Sequence, residues 1–500
     1  MGERLPIVYV RGFAGGQSGI DAVVNDPFYG FNEGSTHIRV GAQGRPRFYQ
    51  FEGPLLRLMQ QQDYQLAVEG SQLEALLRAD RGSLEPASLW VYRFYDESSG
   101  TFGAEPKPYD IGRAAQGLAD FIELVRERTR GVPRVNLVAH SMGGLICRAT
   151  LQRVLANPES VVSKLCTIGT PHGGIDPKLG GGVGDWIIDT FGPNGSDIFS
   201  PRRMRDYLLP AAADAADVDA ADVESEWDPR RMVGTFSPQR VLSVVGTDAK
   251  DYEAAFGLSA KVMGEQSDGL VAIRNAYVWG SPRAYVHRSH SGRYGLVNSE
   301  ETYQNLRRFL FGSLRVEIGL RDLDLDLDGR TWQADARLAI RGLPVLMHEQ
   351  TADHHCPVDL SAQAAGLATP TAPVPLVTTF LLPGDRTFAR HALHLKVISL
   401  REQGGIFSWG DHLEQIADWE DSLVVDVAVD QEGVAEEVRW QWNSELRGRI
   451  AEQEWLENRL DWNADAAEPD GSRPTVPLPE LGRELLGARA CVELAVTGWD

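Results

Sequence analysis

The stretch that most constrains this chain runs from Val135 to Arg148, Val-Asn-Leu-Val-Ala-His-Ser-Met-Gly-Gly-Leu-Ile-Cys-Arg. An apolar run of strand character stops at Ser141 and passes straight into a helix start marked by Gly143 and Gly144. A sharp strand-to-helix turn of this kind lifts a serine hydroxyl above a sheet. It needs small side chains where its backbone nearly touches the flanking elements. Ala139 and Gly143 supply them, the alanine adding one methyl group where the usual pattern has glycine. Ser141 would also stand at the N-terminal end of a helix, where unpaired N–H groups favour a developing negative charge. A serine that merely caps a helix is the plainer alternative, but strand, turn and helix in this order point to a nucleophile.

The rest of the first half alternates strands and helices, as a parallel sheet requires. Ile7 to Val10 reads as a strand, and Arg11-Gly-Phe-Ala-Gly-Gly16 follows as a glycine-rich loop. Such a loop can turn a backbone N–H toward the serine, so Phe13 and Met142 are the candidate oxyanion donors. Residues 20–58 show no sustained period and read as an insertion near the site. Helical spacing marks 66–79 and 111–130, a β-rich run marks 89–95, and the helix after Ser141 is expected to end near Asn157. Arg240 to Gly246 and Arg283 to Val286 restore the strand pattern. Beyond them lie His287 and His290, whose three-residue separation sends them in different directions, and 300–311 reads as a helix. Two acids, Asp248 and Asp268, compete to support a histidine.

Arg-Gly-Phe-Ala-Gly-Gly at 11–16, Ala-His-Ser-Met-Gly-Gly at 139–144 and Gly-Thr-Pro-His-Gly-Gly at 169–174 occur in that order. Over about residues 5–312 the chain resembles the α/β-hydrolase lipases and esterases, including bacterial triacylglycerol lipases and the inositol deacylases of glycolipid anchors. The resemblance implies a catalytic triad of Ser141, Asp268 and His290, with Ser-Asp-Gly-Leu-Val at 267–271 as the acid loop. His287 is the competing base. It also implies that 175–239 is a cap or lid over an acyl pocket, with Trp186 on its underside; a flexible solvated insertion is the alternative. His140 and His172 are candidate walls of that pocket.

After Phe311-Gly312 the pattern changes to alternating segments separated by turns, from 315–320 through 491–497, the signature of an antiparallel sandwich. The expected architecture is therefore an α/β-hydrolase domain at 1–312, with a mostly parallel sheet and a cap at 175–239, followed by an all-β, sandwich-like domain at 313–500. Residues 446–460 read as a short helix. Leu323-Asp-Leu-Asp-Leu-Asp328 places leucines on one face of a strand and carboxylates on the other, a solvated face rather than a calcium site. His348, His354, His355 and Cys356 match no standard zinc spacing, so no metal and no cofactor is expected.

With 49 basic against 70 acidic residues the net charge is −21, which argues against nucleic acid as a partner. Four scattered cysteines, none in a close pair, read as reduced thiols. The chain enters a strand at Ile7, leaving no space for a signal peptide, and no apolar run is long enough for a membrane span. A cytoplasmic location is the expectation, with export lacking a cleaved signal left open. The functional expectation is a serine carboxyl-ester hydrolase acting on an ester or lipid, with transient lipid-surface contact and no assigned protein partner for the second domain. A phospholipase, thioesterase or amidase would use the same triad. An interaction or scaffold protein with an inactive hydrolase domain is the reading from another class.

Overall fold

The computed structural model describes residues 4–12, 35–40, 46–66, 72–94, 110–175, 197–210, 227–249, 266–292, 294–328, 330–361, 372–382, 388–401, 417–430, 435–448, 456–460 and 473–500. The chain divides into two compact units, Glu3–Arg283 with His287–Leu306, and Arg307–Asp500 with Ala284–Val286.

The sheet of the first part of the chain is built from β1 (Ile7–Val10), β4 (Gln65–Leu66), β5 (Ser88–Tyr92), β6 (Val135–His140), β7 (Val162–Ile168), β8 (Val241–Gly246) and β9 (Arg283–Val286), while β2 (Ser35–Val40) and β3 (Pro46–Phe51) form a separate antiparallel hairpin. The strand order is β4-β5-β1-β6-β7-β8-β9. The ladders from β4 through β8 are all parallel. Every residue of β1, β6, β7 and β8 is buried, which explains why they are mainly apolar with few polar interruptions: a parallel sheet is covered on both faces. The α-helices among the described residues are α1 (Gly53–Gln61), α2 (Gln72–Arg78), α3 (Ile111–Arg128), α4 (Met142–Ala149), α5 (Pro201–Leu208) and α6 (Glu300–Phe311). Helix α3 turns Ala115, Leu118, Ile122 and Val125 into the core. Its N-cap Asp110 accepts the Arg113 N–H at 2.7 Å. A mostly parallel seven-stranded sheet with a serine turn at the end of its central strand is the α/β-hydrolase fold.

The second unit holds β10 (Leu314–Arg321), β11 (Arg330–Ile340), β12 (Leu346–Gln350), β13 (Val358–Asp359), β14 (Val374–Leu381), β15 (Ala389–Arg401), β16 (Trp419–Val429), β17 (Ala435–Trp442), β18 (Asn458–Arg459), β19 (Thr475–Pro477), α7 (Glu480–Leu486) and β20 (Cys491–Gly498). They form two antiparallel sheets, β14-β10-β20-β19 and β12-β11-β15-β16-β17-β18, with β13 on β11. One apolar core joins Val316, Ile318 and Leu494 of the first sheet to Trp332, Leu395 and Trp442 of the second. The unit is a β-sandwich.

Several local readings need correction. Of the helix expected at 446–460, residues 449–455 lie outside the described residues; at its end Asn458 and Arg459 pair with β17, and the neighbouring Leu456 and Leu460 are buried. Leu66 belongs to strand β4, and the helix assigned to 66–79 covers Gln72–Arg78. Helix α4 passes at Thr150 into a wider π turn ending at Val154, short of Asn157. Leu323, Leu325 and Leu327 do pack against the core with Asp324, Asp326 and Asp328 exposed, but the segment joins no ladder. No helix among the described residues is long and apolar enough to cross a membrane.

Candidate active site

The site is built from the turn after β6, the segment around Asp268 between β8 and β9, and the loop after β9. Ser141 follows β6 directly with φ 51° and ψ −129°, a conformation that side-chain-bearing residues rarely adopt and that costs roughly 1–3 kcal/mol. The surrounding backbone over-determines it. The Ser141 N–H donates to the Ile168 carbonyl at 2.9 Å, and its carbonyl accepts from Thr170 Oγ1 at 2.8 Å and from the Gly144 N–H at 3.0 Å. Gly143 lets helix α4 start hard against β1: a Cβ there would lie 2.4 Å from the Val10 oxygen and 2.6 Å from the Arg11 oxygen.

His290 stands after β9 with its Nε2 3.0 Å from Ser141 Oγ and its Nδ1 2.8 Å from Asp268 Oδ2. The carboxylate can only accept, so Nδ1 carries the proton and Nε2 is free to accept from the serine hydroxyl. Asp268 is fully buried, and its other oxygen takes the N–H groups of Leu270 and Val271 at 3.0 and 2.7 Å. The His290 N–H donates to the Asp268 carbonyl at 2.8 Å, locking the two loops together. Gly246, ending β8, makes the approach possible, because a Cβ there would stand 2.7 Å from Asp268 Cβ. This hydrogen-bonded relay can move the serine proton onto a ring whose tautomer is fixed from behind.

Of the competing residues, His287 is exposed and its Nδ1 lies 3.2 Å from Thr247 Oγ1, while the Asp248 N–H donates to the Arg288 carbonyl at 3.3 Å. Neither joins the Ser141–His290–Asp268 relay. Met142 begins α4, so its N–H has no carbonyl one turn back within the helix. Phe13 and Trp186 lie outside the described residues, as does most of the cap at 175–239. Among the described residues of 175–239, α5 buries Met204, Tyr207 and Leu208, and the Leu208 carbonyl accepts from Gln152 Nε2 at 2.9 Å.

The two candidate wall histidines are both buried. His172 sits with Nε2 3.0 Å from Thr167 Oγ1 and Nδ1 3.5 Å from Arg148, and burial followed by the Arg148 charge holds its pKa well below the usual value. His140 donates from Nε2 to the His290 carbonyl at 3.2 Å, and burial, then the His290 ring, lowers it to about 3.

Two arginines were not singled out from the sequence. Arg148 is fully buried on α4 and donates to the Pro229 and Arg231 carbonyls at 2.8 and 2.9 Å, so the helix after Ser141 holds the segment that leads into β8. Burial lowers it to about 10. Arg11, at the root of the glycine-rich loop, pairs with Glu52 at 3.2 Å with both side chains fully buried. Glu52 precedes α1, whose Gly53 N–H donates to Asn298 Oδ1 at 2.8 Å, and Asn298 Nδ2 donates to Gly292 of the histidine loop at 3.0 Å. Their one local signal is a charged residue interrupting or abutting an apolar run. Among the described residues no group of three or more His, Cys, Asp or Glu side chains could hold a metal ion.

No family model matches the chain, and no curated protein matches it. Among solved structures it is similar to one described as "the putative cell surface hydrolase from Lactobacillus plantarum WCFS1", at 14% identity and a TM-score of 0.27 over 62% of this chain and 92% of that one. The assignment to the α/β-hydrolase fold rests on strand order and on the turn at Ser141.

Proposed function

We propose that the first unit is a serine carboxyl-ester hydrolase of lipase or esterase type that works through an acyl-enzyme. The observation that carries this reading is the relay from Ser141 Oγ through His290 to Asp268, with contacts of 3.0 and 2.8 Å, on a strained turn at the start of a helix.

In this reading Ser141 Oγ attacks the ester carbonyl carbon as its proton passes to His290 Nε2. The negative oxygen that forms is met by the backbone N–H groups of Met142 and Phe13, each worth about 100- to 1000-fold in turnover. Collapse expels the alcohol, which takes the proton from His290. Water then attacks the acyl-serine, giving its proton to His290, and release of the carboxylic acid returns that proton to Ser141. Asp268 stays ionised, holds the ring tautomer and stabilises the imidazolium. The region 175–239 acts as a cap over the acyl pocket, and a lipid surface is the natural setting for such a cap to open.

The test is acyl-chain profiling of the wild type and Ser141→Ala on p-nitrophenyl esters, phospholipids, thioesters and amides. Ester turnover that vanishes in Ser141→Ala supports the proposal. Turnover surviving in that variant overturns the mechanism, preference for another acyl bond reassigns the substrate, and a wild type inert on every acyl substrate favours an inactive scaffold.

A further inference from the structure

His140 precedes Ser141 and touches both the His290 loop and the segment after β1. It is 4% exposed. Its Nε2 meets the His290 carbonyl, which can only accept, so Nε2 carries the ring proton. The ring is neutral, so Nδ1 is a bare lone pair, and among the described residues that nitrogen has no hydrogen-bond partner. An apolar side chain of similar shape would avoid the unpaired Nδ1 but would take the Nε2–H donor away from the His290 carbonyl, so what the histidine adds here is its bond to the base loop.

The peptide groups on both sides of the His290 side chain are held. The His290 N–H donates to the Asp268 carbonyl at 2.8 Å, and its carbonyl accepts from His140. The rings of His140 and His290 lie 5.1 Å apart, tilted by 38°. On its other side His140 closes over the loop after β1: a Cβ added to Gly12 would stand 3.0 Å from His140 Nδ1 and 3.0 Å from Ser141 Cβ. One ring on the nucleophile strand therefore braces the base loop and abuts the root of the glycine-rich loop.

We infer that His140 is a positioning residue: its Nε2–H holds the His290 backbone so that the base stays in line between Asp268 and Ser141. The inference rests on the esterase reading, because it concerns the rate of that same site. Misplacing a reacting group by about 1 Å costs on the order of 100-fold, and here the displacement would be of the base rather than of substrate.

The test compares His140→Gln, His140→Asn and His140→Leu in the full chain, reading kcat and KM for p-nitrophenyl butyrate beside wild type and Ser141→Ala. A glutamine amide reaches the place of Nε2, whereas an asparagine amide reaches only that of Nδ1. His140→Gln is expected to keep kcat within about threefold, and Asn and Leu to lose roughly 10- to 100-fold in kcat with KM little changed. Equal kcat in all variants, equal losses in Gln and Asn, or a change in KM alone overturns the inference while leaving Ser141 as nucleophile. Turnover persisting in Ser141→Ala instead overturns the esterase reading. If His140→Leu does not fold, the Gln and Asn pair decides the matter.

Discussion

Gly143→Ala asks whether the site depends on how closely helix α4 is set against β1. The added Cβ would lie 2.4 Å from the Val10 oxygen and 2.6 Å from the Arg11 oxygen. Ordinary carbon–oxygen contacts begin near 3.3 Å, so something must retreat by roughly 0.7–0.9 Å. The strand cannot easily yield, because β1 is hydrogen-bonded to β5 on one side and β6 on the other. The start of α4 moves instead, carrying Ser141 Oγ and the Met142 N–H with it. A displacement approaching 1 Å is worth on the order of 100-fold in kcat, and overpacking of this kind costs about 1–3 kcal/mol of stability. The assay is hydrolysis of a p-nitrophenyl ester with a parallel denaturation curve. Gly498→Ala serves as the control, since a Cβ there meets nothing within 4 Å. A Gly143→Ala protein with kcat within threefold of wild type would refute the reasoning.

Three further outcomes follow from other parts of the site. Asp268→Asn should lose about 10⁴-fold in kcat, because an amide no longer fixes the tautomer or stabilises the imidazolium, whereas Asp248→Asn should stay within a few-fold; the reverse pattern in steady-state kinetics would show that Asp248 is the acid. Glu52→Gln leaves the fully buried Arg11 charge without its carboxylate and should cost about 3–5 kcal/mol in urea unfolding; a change under 1 kcal/mol would contradict a dry ion pair there. Stability should also fall in acid: His140 is lowered by burial to about 3, so below its ordinary value near 6.5 the unfolded chain takes up a proton that the folded ring refuses. That term is fully favourable above about pH 6.5 and is lost as pH falls toward 3, amounting to about 3 kcal/mol by pH 4. Denaturation curves from pH 7 to 4 should therefore be flatter for His140→Gln, and an unchanged slope would count against a neutral buried ring.

The parallel strands were legible because burial on both faces leaves long apolar runs, as in Val-Asn-Leu-Val-Ala-His at β6 and Val-Leu-Ser-Val-Val-Gly at β8. Ser141 was legible because its turn leaves a mark within a few residues, strand then serine then paired glycines. Asp268 and His290 were harder: each had a competitor of its own residue type, Asp248 in the same connection between β8 and β9 and His287 in the same loop after β9, and their meeting depends on loops closing in space. What local pattern could not carry is what depends on a distant partner. The strands β13 and β18 are two residues long and exist through the ladders of β11 and β17. Arg11 finds Glu52 41 positions away, and Arg148 finds the Pro229 and Arg231 carbonyls 81 and 83 positions away. Gly246 looked like a strand end until Asp268 was seen against it.

The account turns on Ser141 becoming acylated. The direct measurement is intact-protein and peptide mass spectrometry after a brief acid quench of the wild type reacting with a p-nitrophenyl ester, repeated with a fluorophosphonate. The account predicts one acyl or phosphonyl group per chain, located on the peptide containing Ser141 and absent from Ser141→Ala. A label at another residue, or equal labelling of Ser141→Ala, would contradict it.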